Sequence, residues 1–433
     1  MNKQLKVLAT LLGVFVLVSC HSKPHKNESA NSSAAPQSSV SERIRSQKFN
    51  FDVFNAVFSN EVAKNPDQNV LISPTSIKLA LGLLLLGSRG ETETLIADVL
   101  GYPGVPRSEV AKEFQELIAR LESKSKRNGK VEFNVANGLF LTSSADLKKP
   151  YLDDAFAFFQ AKPMTVKSAD PINKWVKEKT KGHIPKILES LDINSLLVLV
   201  NAMYFKGSWQ KVYRKSQGSF TTNAHKTLAN IEFAESDADP KKNPDGIREE
   251  YGVIQLGSHE YTVLKKKYAR TEGAPALSMY FILPPEGVNA NYVATQTIGN
   301  PAFWAQVEET VHETQLAAVR FPIVELGSNI DLKGAFMNMK SSSGQPLGRI
   351  FQVADLKDIS DRADYVGQAK HRTSMKIDEK GTVATAATAV EVVTRAIFMP
   401  PSFVVDRPYM IALRDDDKGE FIFLGVVNDP SLK

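Results

Sequence analysis

One apolar run constrains this chain more than any other stretch: Leu196-Leu197-Val198-Leu199-Val200, then Asn201-Ala202-Met203-Tyr204-Phe205-Lys206-Gly207-Ser208-Trp209. A strand with one wet face alternates apolar and polar residues, whereas a strand covered on both faces reads as a continuous apolar run. The run therefore demands a central strand between two packed layers. Asn201 interrupts it, and a buried amide is costly unless it is hydrogen-bonded.

The chain has the material for both layers. Its 433 residues are 42% hydrophobic and 23% charged, an ordinary globular balance. A net charge of +5 is small for that length and makes no case for a nucleic-acid partner. Hydrolase signatures are missing: there is no Gly-x-Ser-x-Gly, no His-Glu-x-x-His and no cysteine in the globular body. His183, in Gly182-His183-Ile184-Pro185, has no second ligand at metal spacing. Neither enzyme activity nor a metal or cofactor is expected.

The only cysteine is Cys20. Lys3 and Lys6 precede an apolar run from Val7 to Val18 that is too short to span a bilayer comfortably and has the pattern of a secretory signal. Leu17-Val18-Ser19-Cys20 resembles a bacterial lipobox, which implies a signal peptide over 1–19 and a lipid anchor on Cys20. An uncleaved short anchor with an incidental cysteine is the alternative. Residues 20–41 are rich in Ser, Ala, Asn, Lys and Pro with little to bury, so they read as a flexible stalk.

A folded domain is expected over 42–433. Phe51, Phe54, Phe58 and Val62 recur at helical spacing. Ser73 suits an N-cap and Pro74 a first helical position, opening a helix to Leu86 that is apolar almost all round and should be buried. Val110, Phe114, Leu117 and Leu121 mark another helix, opened by Ser108. Its basic end, Lys124, Lys126, Arg127 and Lys130, reads as a solvated turn. Val131 to Leu141 keeps a period of two and predicts a strand.

Ile377 to Ala396 carries a mixed message. After Asp378-Glu379-Lys380-Gly381, the 13 residues from Thr382 to Thr394 are only Thr, Val and Ala apart from Glu391. Taken alone they suit an exposed linker or a short helix. As a strand, Thr382, Ala384, Ala386, Thr388, Val390 and Val392 would share an uncharged face.

Glu379-Lys380-Gly381-Thr382 followed by alternating small residues resembles the reactive-loop hinge of the serpins, protease inhibitors whose loop inserts into their own sheet. Asn201-x-x-Tyr204-Phe205-Lys206-Gly207-x-Trp209, Ser73-Pro74-x-Ser76-Ile77, Asn134-Val135-Ala136-Asn137, Leu277 to Pro284 and Phe421 to Pro430 resemble the same family, over about residues 42 to 430. The resemblance implies an α+β fold with a large central mixed β-sheet, further sheets, about eight to nine helices and an exposed reactive loop. It implies a hinge of Glu379, Gly381, Thr382, Ala384, Ala386 and Ala387. A polar "shutter" would join Ser73, Ser76, Asn201 and His371, with Trp209 at the "breach" where the loop first enters.

In inhibitory serpins the scissile bond follows the seventeenth residue counted from the hinge glutamate, which here is Arg395, with Ala396 after it. An arginine suits a trypsin-like serine protease, so a covalent complex with such an enzyme is the implied partnership. Neighbouring bonds would suit elastase-like or cysteine proteases, and a carrier or chaperone role is the non-inhibitory alternative. A monomeric envelope lipoprotein, on the outer membrane or cell surface and facing periplasm or exterior, is the implied setting. Two segments depart from the family pattern. Asp237 to Arg248 is a polar excursion. Leu264-Lys265-Lys266-Lys267-Tyr268 puts lysines at a strand end, where they predict a solvated edge. Phe403 to Tyr409 and Phe421 to Pro430 are expected to form two buried C-terminal hairpin strands.

Overall fold

In the computed structural model, which describes residues 40–128, 131–142, 147–192, 195–236, 247–270, 276–380 and 400–432, the apolar run folds as a strand with its first nine residues buried. Its neighbours follow in chain order. The helices are α1 (Val40–Lys64), α2 (Pro74–Leu86), α3 (Gly90–Val99), α4 (Arg107–Asn128) and α5 (Lys149–Phe159), then α6 (Ala169–Lys179), α7 (Ala290–Val293), α8 (Pro301–Thr310) and α9 (Leu332–Asn338). The first strands are β1 (Val70–Ile72), β2 (Val131–Leu141), β3 (Met164–Thr165), β4 (Leu197–Gly207), β5 (Arg214–Thr221) and β6 (Thr227–Glu235). Next come β7 (Ile247–Leu256), β8 (His259–Lys267), β9 (Leu277–Leu283), β10 (His312–Leu316) and β11 (Ala318–Pro322). The last are β12 (Val324–Asp331), β13 (Gln368–Ile377), β14 (Ser402–Val404), β15 (Tyr409–Asp415) and β16 (Glu420–Val427).

Three sheets form among the described residues. One is mixed and five-stranded, in the order β12-β13-β4-β2-β3. Its core pair is parallel: β13 runs beside β4 from Gln368 opposite Val198 to Lys376 opposite Lys206. The other sheets have the orders β1-β16-β15-β9-β8-β7-β10 and β14-β11-β6-β5.

Layering follows from the alternation of side chains along β4. Leu197 and Leu199 join the core built on α2, while Val198, Val200 and Ala202 meet Ile172 and Val176 of α6 on the opposite face. That is the two-sided cover a continuous apolar strand requires. All thirteen residues of α2 are buried, with Ser73 as N-cap accepting from the Ser76 amide and Pro74 at the start. Lys78, the one charge in that helix, sits 2.6 Å from Glu420. α2 also passes close to α4, because a Cβ at Gly82 would fall 2.3 Å from the Phe114 ring.

Two expectations are corrected. The three lysines do not form a solvated edge: β8 lies between β7 and β9 in the interior of its sheet. Lys266 is 2% exposed and faces the core alongside Leu264 and Tyr268, with Glu249 supplying its counter-charge. The C-terminal hairpin also begins later than expected. Its first strand is β15, from Tyr409 to Asp415, paired with β16. Phe403 instead belongs to β14, which runs parallel to β11 in another sheet. Pro408 separates the two, since a proline has no amide for a ladder. The opening helices start earlier than their apolar spacing indicates, at Val40 and at Arg107, because polar first turns carry no periodic signal.

Candidate functional site

Along the seam between β4 and β13, two polar clusters hold the strands together. The first is central. Asn201 stands at an odd position of β4, so its amide points toward α2. Its Nδ2 donates to the Ser76 carbonyl at 2.6 Å, to Ser76 Oγ and to Asn137 Oδ1. His371 sits directly opposite Asn201 in the parallel register. Its Nε2 accepts from the Ser73 amide at 3.0 Å, so Nδ1 carries the proton and donates to Asn201 Oδ1. Every polar atom of the imidazole and of the amide oxygen is thus used, in a fully buried place. Burial holds His371 neutral, with its pKa pushed down to about 3.

Ser73, Ser76, Asn201 and His371 come together as expected. Asn137 was not among them, and it takes part fully as the partner of Asn201 in the β2–β4 register. Its signal was present: in the period-two series Val131, Phe133, Val135, Leu139, Leu141, Asn137 fills the missing apolar position. Beneath the same seam Thr373 donates to the Leu71 carbonyl at 2.9 Å, tying β13 to β1.

The second cluster lies where β13 ends. Trp209 is buried against the Tyr268 ring, 4.4 Å between centroids, and its Nε1 donates to the Asp378 carbonyl at 2.6 Å. Gly207 is required by the same packing, because a Cβ there would stand 2.5 Å from the Tyr268 ring. One residue further along, the Tyr213 amide donates to the Glu379 carbonyl at 3.2 Å. Lys215 approaches the Glu379 carboxylate at 3.9 Å. Two successive carbonyls, of Asp378 and Glu379, are therefore held by the segment that follows β4. Tyr213 was not singled out in the sequence, since nothing in its spacing marks a main-chain contact.

Of the other expected site residues, Gly381, Thr382, Ala384, Ala386, Ala387, Arg395 and Ala396 lie outside the described residues, as does Cys20. The ring of His183 stacks on Tyr204, 3.6 Å between centroids.

β4 and β13 are joined by ladder bonds and by two polar clusters, and Glu379 sits at one end of the seam. The serpin (serine protease inhibitor) sequence profile matches residues 45–430. Serpin A3-3 of Bos taurus is 27% identical over 394 residues, 88% of each chain. Serpin-Z7 of Hordeum vulgare is 25% identical over 395 residues, 88% of this chain and 95% of the relative. Among solved structures, Arabidopsis AtSerpin1 in its native stressed conformation matches with a TM-score of 0.75 at 20% identity, covering 91% of this chain and 100% of that one. Native protease nexin-1 with heparin gives 0.72 at 22% identity over 90% and 99%. With its fold, its seam and its profile in agreement, the chain belongs to the serpin family of serine protease inhibitors.

Proposed function

We propose that this serpin traps trypsin-like serine proteases covalently, by inserting its own cleaved loop into the five-stranded sheet at the seam between β4 and β13. One observation carries the reading. β4 and β13 are direct parallel neighbours, so a strand that turns back from β13 and enters between them would run antiparallel to both. The sequence that follows offers such a strand, with an uncharged face from Thr382 to Val392. Gly381 would free the turn, and Thr382, Ala384, Ala386 and Ala387 are small or neutral enough to pass into the core.

The bait is the bond between Arg395 and Ala396. The attacking serine oxygen forms an ester with the Arg395 carbonyl carbon as the amide breaks, and the Ala396 nitrogen leaves as an amine protonated by the enzyme's histidine. Insertion of about fifteen residues moves the ester on the order of 50 Å. Each ladder bond gained is worth roughly 0.5 to 1.5 kcal/mol net, so about fourteen residues supply on the order of ten kcal/mol. If insertion outruns hydrolysis, the protease is distorted before water releases it. A lipid on Cys20, which Leu17-Val18-Ser19-Cys20 favours, would hold this inhibitor, as a monomer, at the cell envelope.

Trypsin mixed with the full chain should yield a complex that survives boiling on a denaturing gel, and Arg395→Ala should abolish it. Cleavage with no complex and no rise in melting temperature would overturn the inhibitor reading in favour of a carrier. Metabolic labelling with a fatty-acid analogue should be lost in Cys20→Ser.

A further inference from the structure

The lysines of β8 have a role that the solvated-edge expectation did not contain. Lys266 places Nζ 2.6 Å from Glu249 Oε1, with the two side chains only 2% and 10% exposed. Tyr213 donates its hydroxyl to that same Oε1 at 3.0 Å, and the ammonium lies 4.7 Å from the centroid of the Tyr213 ring. A buried charge is tolerated only when paired and hydrogen-bonded, and here two donors, the Lys266 ammonium and the Tyr213 hydroxyl, meet at one oxygen of Glu249. Burial pulls the Lys266 ammonium below its ordinary value although Glu249 opposes the shift; Lys211 and Glu250 also act on it.

The lock is aimed at the hinge. The residue it immobilises, Tyr213, uses its own backbone amide to hold the Glu379 carbonyl at 3.2 Å. Beside it, Trp209 holds the carbonyl of Asp378. These are the first two residues beyond β13. A strand that turned back into the seam would need them to leave their present partners. The cluster thus couples a buried ion pair in the seven-stranded sheet to the mouth of the five-stranded one.

We infer that Lys266 is a positioning residue which, through Glu249 and Tyr213, latches the mouth of the β4–β13 seam and slows strand insertion there. This rests on the insertion reading above and adds to it a control point made of this chain's own charges. The latch belongs to the closed sheet: once a strand has entered, Glu379 has left Tyr213 and the pair no longer opposes anything.

The test uses the full, uncleaved chain and a synthetic N-acetylated peptide with the sequence of residues 381–394. Uptake is followed by native electrophoresis and by the rise in melting temperature. Lys266→Met with Glu249→Leu removes both charges together and leaves no orphan. Its uptake should be about tenfold faster than the parental rate, and that of the isosteric Tyr213→Phe about threefold faster, as expected for losing one or two net hydrogen bonds. Lys266→Arg keeps the charge and its hydrogen-bonding to Glu249, and should speed uptake less than the double variant does. The melting temperature of each variant after loop cleavage separates a latch from mere packing. A latch leaves the cleaved form within a degree of the cleaved parent. Equal loss of stability in both forms, or unchanged uptake by Tyr213→Phe and the double variant, would overturn the proposal while leaving insertion intact. A parental chain that takes up no peptide would overturn the insertion reading and this latch with it.

Discussion

The two clasps on the seam hold the same pair of strands by opposite means. At the centre, Asn201, His371, Ser73, Ser76 and Asn137 are neutral and satisfied atom by atom. At the mouth, Lys266 and Glu249 are charged, and they act on the hinge at one remove through Tyr213. A neutral network gives directional bonds at little desolvation cost, but it fails when a member changes protonation. A charged pair stays locked at the expense of dehydrating two ions. The difference suggests a division of labour: the centre sets how firmly the sheet is closed, and the mouth sets when a strand can start.

The comparison can be broken most severely at the centre. Asn201→Leu orphans His371, Ser76 and Asn137 at once, and should lower the stability of the uncleaved form by about 3 kcal/mol. Urea unfolding followed by intrinsic fluorescence checks it, and a loss under 1 kcal/mol would mean that the clasp is ornamental.

Acid separates the two clusters next. His371 falls from its ordinary 6.5 to about 3, so the unfolded chain takes up that proton first. Its contribution is complete above pH 6.5 and declines through the window down to about 3. At pH 5 the closed form should lose about 2 kcal/mol from this group alone. The difference in unfolding free energy between pH 7.5 and 5 should shrink by that amount in His371→Gln, whereas Tyr213→Phe should keep the parental difference.

A smaller effect is expected at the mouth. Trp209→Phe removes the donor to the Asp378 carbonyl and keeps an aromatic ring against Tyr268. Stability should fall by about 1 kcal/mol and peptide uptake should rise roughly fivefold. Smallest of all, Lys149→Ala breaks an i,i+4 pair with Asp153 in which both side chains are exposed. It should change stability by less than about 0.5 kcal/mol and uptake not at all.

Much of the seam was legible because polar residues break apolar series. Asn201 interrupts a run that must be covered on both faces; His371 came only from the resemblance to the serpins, although the structure gives it the same inward phase as Ala369, Thr373 and Met375 of β13. Asn137 carried the same mark in β2 and went unread, because a single asparagine in an alternating strand also suits a wet face. The mouth was less legible. Tyr213 acts through its main-chain amide, which no side-chain pattern reports. The lysines of β8 read as solvent-facing because charge normally seeks water, and only the placement of Glu249 reverses that inference.

By itself the sequence determined the local choices: which stretch is a two-faced strand and where α2 is capped. These depend on periodicity and on backbone chemistry within a few residues. The atoms through which groups meet across the seam, and the further partners Asn137 and Tyr213, were decided only by the tertiary structure. Asn137, Asn201 and His371 are brought side by side by strand order, and Glu249 and Lys266 by sheet packing. Whether a buried charge is an error or a lock depends on a partner whose distance no local pattern contains.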